Sequence, residues 1–357
     1  MTEPKATAAQ QAQAPESAQF AMNPSRGFVG WLQSLNASLA FSTYKLGKVF
    51  WIGTREGRLS VMQRDFSRVM GLAFDAQADR MAIGSLWQIW LMRDMLQGQL
   101  HEGHDRFYAP RASYVTGDVD SHDLAILNDG IYFVNTLFSC IARASSDRSF
   151  DPVWKPPFIS KIAAEDRCHL NGMAIRDGKP AYVTAVSHTD IREGWRDHKQ
   201  DGGIVVDVAS GEIVCRGLSM PHSPRWYRDR LWVLNSGTGE FGSVNLATGN
   251  FEPLCFCPGF LRGLAFAGDF ALMGLSRSRD ERAFSHLPLA SRLAAHQVQD
   301  RCGIYAVDLR SGDIVHRIEF EGALTEMYDV AVMPGVRNPT AIGIRGPEVQ
   351  HMLRVEP

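Results

Sequence analysis

Three histidines occupy related places in a repeated stretch of the sequence. His122, His169 and His222 stand at the start of the segments HDLAI, HLNGMAI and HSPRWY. Three neutral imidazoles that converge on one point suit Zn²⁺ or another divalent transition metal, with a coordination position left for water or a substrate. Asp123 or Asp329 is a candidate further ligand or orienting residue. The alternative is that each histidine only hydrogen-bonds a nearby loop carbonyl.

A second set of side chains offers oxygen ligands instead of imidazoles. Its members are Asp123, Asn135, Asn171, Asn235 and Glu326. Asn135 and Asn235 occupy the same place in their repeats, directly after IYFV and LWVL. A hard cation such as Ca²⁺ prefers amide and carboxylate oxygens. This set therefore predicts a calcium site as the alternative to a transition-metal site.

Arginines near the same segments predict an anionic ligand. Arg225, Arg262 and Arg277 each lie beside the start or end of an apolar run. A guanidinium group binds a carboxylate or a phosphate through parallel hydrogen bonds, so Arg225 and Arg262 are predicted to hold a substrate. The competing interpretation is a structural ion pair with a neighbouring acidic side chain.

Groups for proton transfer occur in the same segments. Asp123, Tyr328 and Asp329 are the candidate general acids or bases, and His188 follows the end of another apolar run. The sequence contains no glycine-rich phosphate loop, G-x-S-x-G elbow or H-E-x-x-H motif. It therefore predicts none of the mechanisms that these motifs support.

The candidate residues lie at the edges of one repeated phrase. The phrase is an apolar segment, a turn, and a second apolar segment that ends in small or polar residues. It occurs six times, with starts at Met70, His122, Asn171, Ser223, Arg262 and Tyr328. The starts are roughly 40 to 65 residues apart, which is near the period of four-stranded propeller blades.

A second phrase completes each repeat. Hairpin-like segments such as GIVVDVASGEIV and GIYAVDLRSGDIV follow most first phrases, but not the sixth, and residues 38–63 contain strands without a first phrase. We predict an all-β chain that forms a single β-propeller of six four-stranded blades, with the N-terminal strands closing the ring. Because inner strands start at one face of a propeller, the candidate residues should converge at the channel mouth.

The chain is expected to comprise one domain and two tails. Residues 1–25, rich in Ala, Gln and Pro, predict a disordered tail. The propeller is expected over 26–350 and a short tail over 351–357. Two insertions are predicted, at about 91–118 and 277–302, and the second has helical character at SRLAAHQVQ.

Charge and composition exclude several classes of function. A net charge of −2 provides no basic surface for nucleic acid or an anionic membrane. No apolar stretch reaches the ~18 residues that span a bilayer, and the first residues lack a secretory signal. Six scattered cysteines do not form a disulfide framework. We expect a cytoplasmic protein without a nucleotide cofactor.

Several segments resemble a known bacterial family. SHDLAIL, HLNGMAI, PHSPRWY and RGLAF, with the opening FVGWLQSLNASLAFSTYKLGKVFWIG, resemble proteins of the DUF4915 type, which are grouped with β-propellers. The resemblance extends from about Phe28 to Ile344 and implies the fold without an activity. A looser resemblance is to six-bladed lactonases of the gluconolactonase type, whose metal is held by Glu, Asn and Asp. Zinc-dependent lyases with NHL-type propellers use histidines from successive blades, as His122, His169 and His222 would.

Two functions from different classes follow. The first is a metal-dependent hydrolase or lyase that acts on a small anionic molecule at the channel mouth. The histidines would hold the metal, the metal would lower the pKa of a bound water, and an arginine would hold the substrate. The second is a non-catalytic module that binds a protein or glycan partner on the face formed by the two insertions.

Elemental analysis of protein purified without a histidine tag or chelator tests the metal prediction. The tri-histidine site requires near-stoichiometric Zn, Fe, Cu or Mn, whereas calcium favours the oxygen-rich site. In His169→Ala, bound metal and activity should fall together, because one ligand is removed. Full retention of both by that variant contradicts the prediction.

Overall fold

The computed structural model describes residues 20–277, 286–353 and 355. Within them, six mainly antiparallel sheets surround a central channel as the blades of a β-propeller. The predicted fold class is confirmed, including the closure of the ring by N-terminal strands. None of the helices in the described ranges is both long enough and apolar enough to cross a membrane.

The first elements of the chain later close the ring. They are β1 (Phe20–Pro24), helix α1 (Phe28–Ser34), β2 (Ala37–Thr43), β3 (Lys48–Arg55) and β4 (Arg58–Asp65). Blade 1 then contains β5 (Leu72–Phe74), β6 (Arg80–Gly84), β7 (Gln88–Asp94) and β8 (Arg106–Val115). Blade 2 contains β9 (Ser121–Leu127), β10 (Gly130–Asn135), β11 (Cys140–Arg143) and β12 (Asp151–Trp154).

The next three blades follow the same order from the channel outwards. Blade 3 contains β13 (Leu170–Arg176), β14 (Lys179–Ala185), a 3₁₀ helix (Gly194–His198), β15 (Gly203–Asp207) and β16 (Ile213–Leu218). Blade 4 contains β17 (Pro221–Tyr227), β18 (Arg230–Asn235), β19 (Glu240–Asn245) and β20 (Asn250–Phe256). Blade 5 contains β21 (Phe260–Ala267), β22 (Phe270–Ser276), helix α2 (Leu289–Ala295), β23 (Gly303–Asp308) and β24 (Ile314–Gly322). The last elements are β25 (Asp329–Pro334), β26 (Pro339–Ala341) and a 3₁₀ helix (Pro347–Gln350).

The inner hairpins are set by turn residues in the sequence. In blade 3, β13 and β14 are joined through Asp177, with φ 52°, and Gly178, with φ 72°. Two successive positive φ values give a tight turn whose twist matches that of the strands it connects. The Asp-Gly pair therefore determines where the first phrase of this repeat folds back on itself.

Strands from both ends of the chain close the ring. Blade 6 consists of β25, β2, β3 and β4, and β25 pairs with β2 from Pro334–Ala37 to Asp329–Ser42. On one side of blade 6, β1 adds a fifth strand to blade 5 by pairing with β24. On the other side, β26 adds a fifth strand to blade 1 by pairing in parallel with β8. Both neighbours of the closing blade are thus extended by strands from the chain ends.

Two predicted boundaries differ from the structure. Residues 20–24 of the expected tail form β1, whose Phe20 meets Phe50 edge-on at 5.4 Å. Of the insertion predicted at 91–118, residues 91–94 and 106–115 belong to β7 and β8, the outer hairpin of blade 1, and residues 95–105 connect the two strands. The first difference arises because β24, the partner of β1, lies far away in the sequence.

Other parts of the predicted tails and of the second insertion fall outside the described residues. In the second insertion, α2 (Leu289–Ala295) overlaps the stretch 291–299, for which helical character was predicted. The undescribed residues are 1–19, 278–285, 354, 356 and 357.

Neighbouring inner strands approach closely because of an alternation at the second position of the repeated phrase. Odd-numbered blades have glycine there and even-numbered blades have a larger residue. In blade order these residues are Gly71, Asp123, Gly172, Pro224, Gly263 and Asp329. A Cβ atom on Gly172 would lie 2.3 Å from Cδ of Pro224, and one on Gly263 would lie 2.3 Å from the backbone nitrogen of Val330. The glycines thus leave room for the backbone of the next blade.

Side-chain acceptors in the even-numbered blades complete this contact. Each accepts a hydrogen bond of 2.8 to 3.1 Å from a backbone N–H of the following odd-numbered blade. The pairs are Asp123 with Met173, Ser223 with Gly263, and Asp329 with Leu72. We call the six second-position residues and these acceptors the inter-blade belt. It satisfies backbone groups that face the channel and would otherwise be buried without partners.

Gly263→Ala should destabilise the protein strongly, because its Cβ atom would overlap backbone atoms of β25 at a residue with φ +72°. Gly268→Ala, in the same blade, is the matched control: its φ is +56° and no atom lies within 4 Å of the added Cβ. Backbone strain alone costs about 1–2 kcal/mol. We expect the Gly263 variant to lose at least about 2 kcal/mol more than the control in urea unfolding. Equal losses would contradict the close-approach argument.

Candidate functional site

Residues at or near the starts of all six inner strands meet at one end of the channel. They are Met70, His122, His169, Met220, Arg262 and Tyr328. They border a cavity of about 260 Å³. The other lining residues are Tyr44, Lys45, Asp120, Asp166, Trp195, Arg196, Ser276, Arg277 and Glu326. Of the residues predicted from the sequence, the structure brings His122, His169, Arg262, Arg277, Glu326 and Tyr328 to this cavity.

His122 is held in one tautomer. Its Nδ1 lies 3.1 Å from the carbonyl oxygen of Asp120 and 2.8 Å from the hydroxyl of Thr136. That hydroxyl donates its proton to the carbonyl of Leu170 at 2.6 Å. Since the carbonyl of Asp120 only accepts, Nδ1 carries the proton and the lone pair is on Nε2. Burial lowers the pKa of His122 well below its usual range, so the ring is neutral at pH 7.

His169 forms an acid–base pair with a carboxylate. Its Nδ1 lies 3.1 and 3.0 Å from the two oxygens of Asp166. The indole Nε1 of Trp195 donates to the same carboxylate at 2.8 Å. Asp166 therefore fixes the tautomer of His169 and leaves Nε2 with the lone pair when the ring is neutral. The imidazole also lies against the indole of Trp195, with ring centroids 4.2 Å apart.

The third histidine does not join the other two. His222 is buried, its Nδ1 donates to the carbonyl of Met220 at 2.8 Å, and its ring meets Phe260 at 5.5 Å. His122 occupies the first position of its repeated phrase, whereas His222 precedes that position by one residue and His169 by two. A shift of one residue turns a side chain to the other face of a strand. The three histidines are thus not equivalent in space.

Among residues 20–277, 286–353 and 355, no three His, Cys, Asp or Glu side chains are arranged to hold a metal ion. His122 and His169 are close, with ring centroids 4.9 Å apart at 86°. The three predicted histidines do not form such a group there. Each has Nδ1 bonded to a carbonyl or carboxylate oxygen, which leaves the lone pair of the neutral ring on Nε2.

Arg262 and Tyr328 bring unpaired polar groups to the cavity. Within the described residues, the guanidinium group of Arg262 has no acidic partner, and its Nε is buried without a hydrogen bond. It lies over the ring of Tyr328 at 4.6 Å. The hydroxyl of Tyr328 is also buried without a partner. Burial raises the pKa of that phenol well above its usual range, so the group remains a neutral donor.

Arg225 and Asp123, both predicted to act in catalysis, form the competing structural ion pair. Two guanidinium nitrogens lie 2.7 and 3.0 Å from the two oxygens of Asp123. Arg225 also donates to the carbonyl of Leu264 at 3.1 Å and borders a different, mainly apolar cavity. Its charge is neutralised inside the channel. Asp329 is bound by the backbone N–H groups of Leu72 and Val330, as part of the inter-blade belt.

The predicted oxygen ligands accept hydrogen bonds from groups within the protein. The side-chain oxygens of Asn135 and Asn235 accept backbone N–H groups at 3.0 and 2.7 Å, and that of Asn171 accepts a hydroxyl at 2.8 Å. Glu326 accepts the backbone N–H groups of Tyr44 and Lys45 from the closing blade. His188 is exposed and packs against Phe158, outside the cavity.

Several lining residues were not among the predicted site residues, including Tyr44, Asp120, Asp166 and Trp195. Tyr44 lies between β2 and β3, Asp120 precedes β9, and Trp195 belongs to the 3₁₀ helix of blade 3. Asp166 had a signal, because it is a carboxylate three residues before a candidate histidine. For Trp195, nothing in the local sequence indicates that this long connection folds back to the channel.

A comparison with models of protein families shows to which family the chain belongs. Residues 26–342 match the family model described as a domain of unknown function, DUF4915. The chain belongs to the DUF4915 family. No curated protein matches its sequence.

Solved structures resemble this DUF4915 protein at low sequence identity. A nidogen/laminin complex contains a chain that matches with a TM-score of 0.52 and 14% identity, over 84% of this chain and 99% of that one. A Bacteroides caccae protein of unknown function gives 0.49 and 9%, over 83% and 98%. TolB from Acinetobacter baumannii gives 0.48 and 13%, over 84% and 67%. At these identities the likeness concerns the fold alone.

Asp123→Asn should destabilise the protein because it leaves Arg225 without its counter-charge. The side chain of Asp123 is only 5% exposed. Removal of one partner from a buried pair costs about 3–5 kcal/mol, which urea unfolding would detect. Asp129→Asn, which breaks an exposed pair with Arg143, is the control and should cost much less. Similar losses in both variants would argue against the buried pair.

Asp329 should make stability fall as the pH rises. Burial raises the pKa of its carboxyl from 3.8 to about 7. Between these values the folded protein retains a proton that the unfolded chain releases, so the free energy of unfolding decreases from about pH 4 to about pH 7. The stability of Asp329→Asn relative to the wild type should therefore rise across that window. Urea unfolding at several pH values measures this, and a constant difference would contradict it.

Proposed function

We propose that this chain is an enzyme that acts on a small anionic molecule at the cavity, by acid–base chemistry of the hydrolase or lyase class. The observation that carries the proposal is the unpaired guanidinium of Arg262 in the same cavity as the His169–Asp166 pair. Acid–base catalysis needs one group that holds the substrate and another that moves a proton nearby. The cavity supplies both.

Arg262 would hold the anionic group of the substrate. The rings of Phe260 and Tyr328 flank its guanidinium at 5.6 and 4.6 Å. These contacts orient the cation without neutralising it. An incoming carboxylate or phosphate can form charge-assisted hydrogen bonds, which are about twice as strong as neutral ones. The free hydroxyl of Tyr328 is a second donor beside the guanidinium.

His169 would move the proton. Its Nε2 is the available base, because Asp166 holds the proton of Nδ1. When Nε2 takes a proton, the resulting imidazolium is stabilised by the carboxylate, and Trp195 keeps that carboxylate in place. Neighbouring His122 stays neutral, so it adds no positive charge that would oppose proton uptake. Tyr328, a neutral phenol, can donate a hydrogen bond to a developing oxyanion.

No step of this proposal passes through a metal ion, because the described side chains do not form a three-ligand set. Metal dependence stays a prediction of the sequence, which elemental analysis tests. The partner-binding alternative depended on two long insertions forming one face. Residues 91–94 and 106–115 of the first belong to the outer hairpin of blade 1, which leaves residues 95–105 and the second insertion for that face.

A screen of carboxylate-bearing esters, lactones and lyase substrates tests the proposal. For any substrate that is turned over, His169→Gln should lower kcat by about 10²–10⁴-fold with little change in KM, because the base is lost. Arg262→Gln should chiefly raise KM if the anion is held equally in the ground and transition states. Arg228→Gln, an exposed residue paired with Asp269 outside the cavity, is the control and should change neither.

Two results would overturn the assignment. One is unchanged turnover in His169→Gln, which would show that His169 is not the base. The other is an Arg262→Gln variant whose kinetics match those of the Arg228 control, which would show that Arg262 does not hold the anion.

A further inference from the structure

We infer that the ligand of this cavity is an aromatic carboxylate, a single planar ring that bears an acidic group. The inference rests on the proposed anion site at Arg262 and adds the chemical class of the rest of the ligand. It is carried by the rings that border the cavity and by the two unpartnered donors, on Arg262 and Tyr328, beside them.

Five rings form a continuous series along the cavity wall. Trp195 lies against His169 at 4.2 Å and 31°, and His169 meets His122 edge-on at 4.9 Å. His122 meets Tyr328 at 5.5 Å and 63°, and Tyr328 lies nearly parallel to Tyr44 at 5.9 Å and 20°. This series, which we call the aromatic arc, extends from blade 3 through blade 2 to blade 6. It offers both ring faces and ring edges to a flat ligand.

Several polar atoms of the arc and of its neighbours are already bonded within the protein. Trp195 Nε1 and the Nδ1 atom of His169 donate to Asp166. Asp120 pairs with Arg68 at 2.9 Å. Besides Arg262 and Tyr328, the groups left for a ligand are chiefly Nε2 of His122 and of His169, which do not match the many hydroxyls of a sugar acid. Buried hydroxyls without partners cost affinity, whereas an aromatic ring needs no such partners.

The two unpartnered donors sit at one place and match a single acidic substituent. The guanidinium of Arg262 and the hydroxyl of Tyr328 are both donors, and the cation lies 4.6 Å from the phenol ring. A carboxylate bound there would satisfy both donors while its ring faced the arc. The volume of about 260 Å³ is below the roughly 300–1,000 Å³ of pockets for drug-sized molecules, so the cavity suits one ring.

Calorimetric titration of the full chain with four probes tests the inference. Benzoate carries both the ring and the charge. Cyclohexanecarboxylate keeps the size and charge without an aromatic face, benzamide keeps the ring without the charge, and glucuronate keeps the charge with hydroxyls. We expect the Kd of benzoate to be about tenfold lower than that of each other probe, which corresponds to one favourable aromatic or charged contact.

Variants test whether the aromatic arc causes the preference for benzoate. Trp195→Leu should reduce the preference for benzoate over cyclohexanecarboxylate to about twofold or less, since a ring contact is lost. Trp87→Leu is the matched control, because Trp87 is 46% exposed and does not line the cavity. Should the leucine variant fail to fold by circular dichroism, Trp195→Phe replaces it, and this variant should keep the preference that the leucine variant would lose.

The outcomes separate this inference from the proposed function. If cyclohexanecarboxylate or glucuronate binds as tightly as benzoate, the aromatic class is overturned while the anion site stands. If benzamide binds as tightly as benzoate, or if no carboxylate binds, both the inference and the anion site at Arg262 are overturned. An unchanged preference for benzoate over cyclohexanecarboxylate in Trp195→Leu would show that the aromatic arc does not bind the ring of the ligand.

Discussion

The close approach of neighbouring inner strands around the channel determines much of this structure. Glycine at the second position of the repeated phrase lets the backbone of the next blade come near, as at Gly172 and Gly263. Acceptors such as Asp123 and Asp329 then bond the backbone N–H groups that this approach buries. Without these two devices, the six sheets would lose contacts at the point where all of them meet. These contacts around the channel help to close the ring, as does the pairing of β25 with β2.

The inter-blade belt also positions the candidate site. His122, Arg262 and Tyr328 each directly precede a belt residue in the sequence. Their backbones are therefore fixed by the packing of the belt, while their side chains extend towards the cavity. Residues held in this way need little rearrangement when a ligand arrives, and such preorganisation favours both binding and catalysis.

The two channel arginines show how environment separates residues of the same type. Arg225 meets a carboxylate through two hydrogen bonds and donates further to backbone carbonyls, so its charge is satisfied by the protein. Arg262 lies between aromatic rings and has no acidic partner among the described residues. One arginine thus stabilises the channel and the other is available to a ligand. The same contrast distinguishes Asp123, neutralised in the belt, from Asp166, which acts on a histidine.

The sequence by itself determined the blade count, the order of the strands and the closure of the ring, because these follow from apolar periodicity and turn residues that repeat along the chain. It also indicated that the phrase starts carry polar groups. Only the tertiary structure decided which of these groups meet. The register of one or two residues that separates His222 and His169 from His122 changes where each ring points. Trp195 reaches the cavity through a long connection, and Arg225 finds its partner 102 residues away. Contacts of this kind depend on how blades pack against one another, which no local pattern encodes.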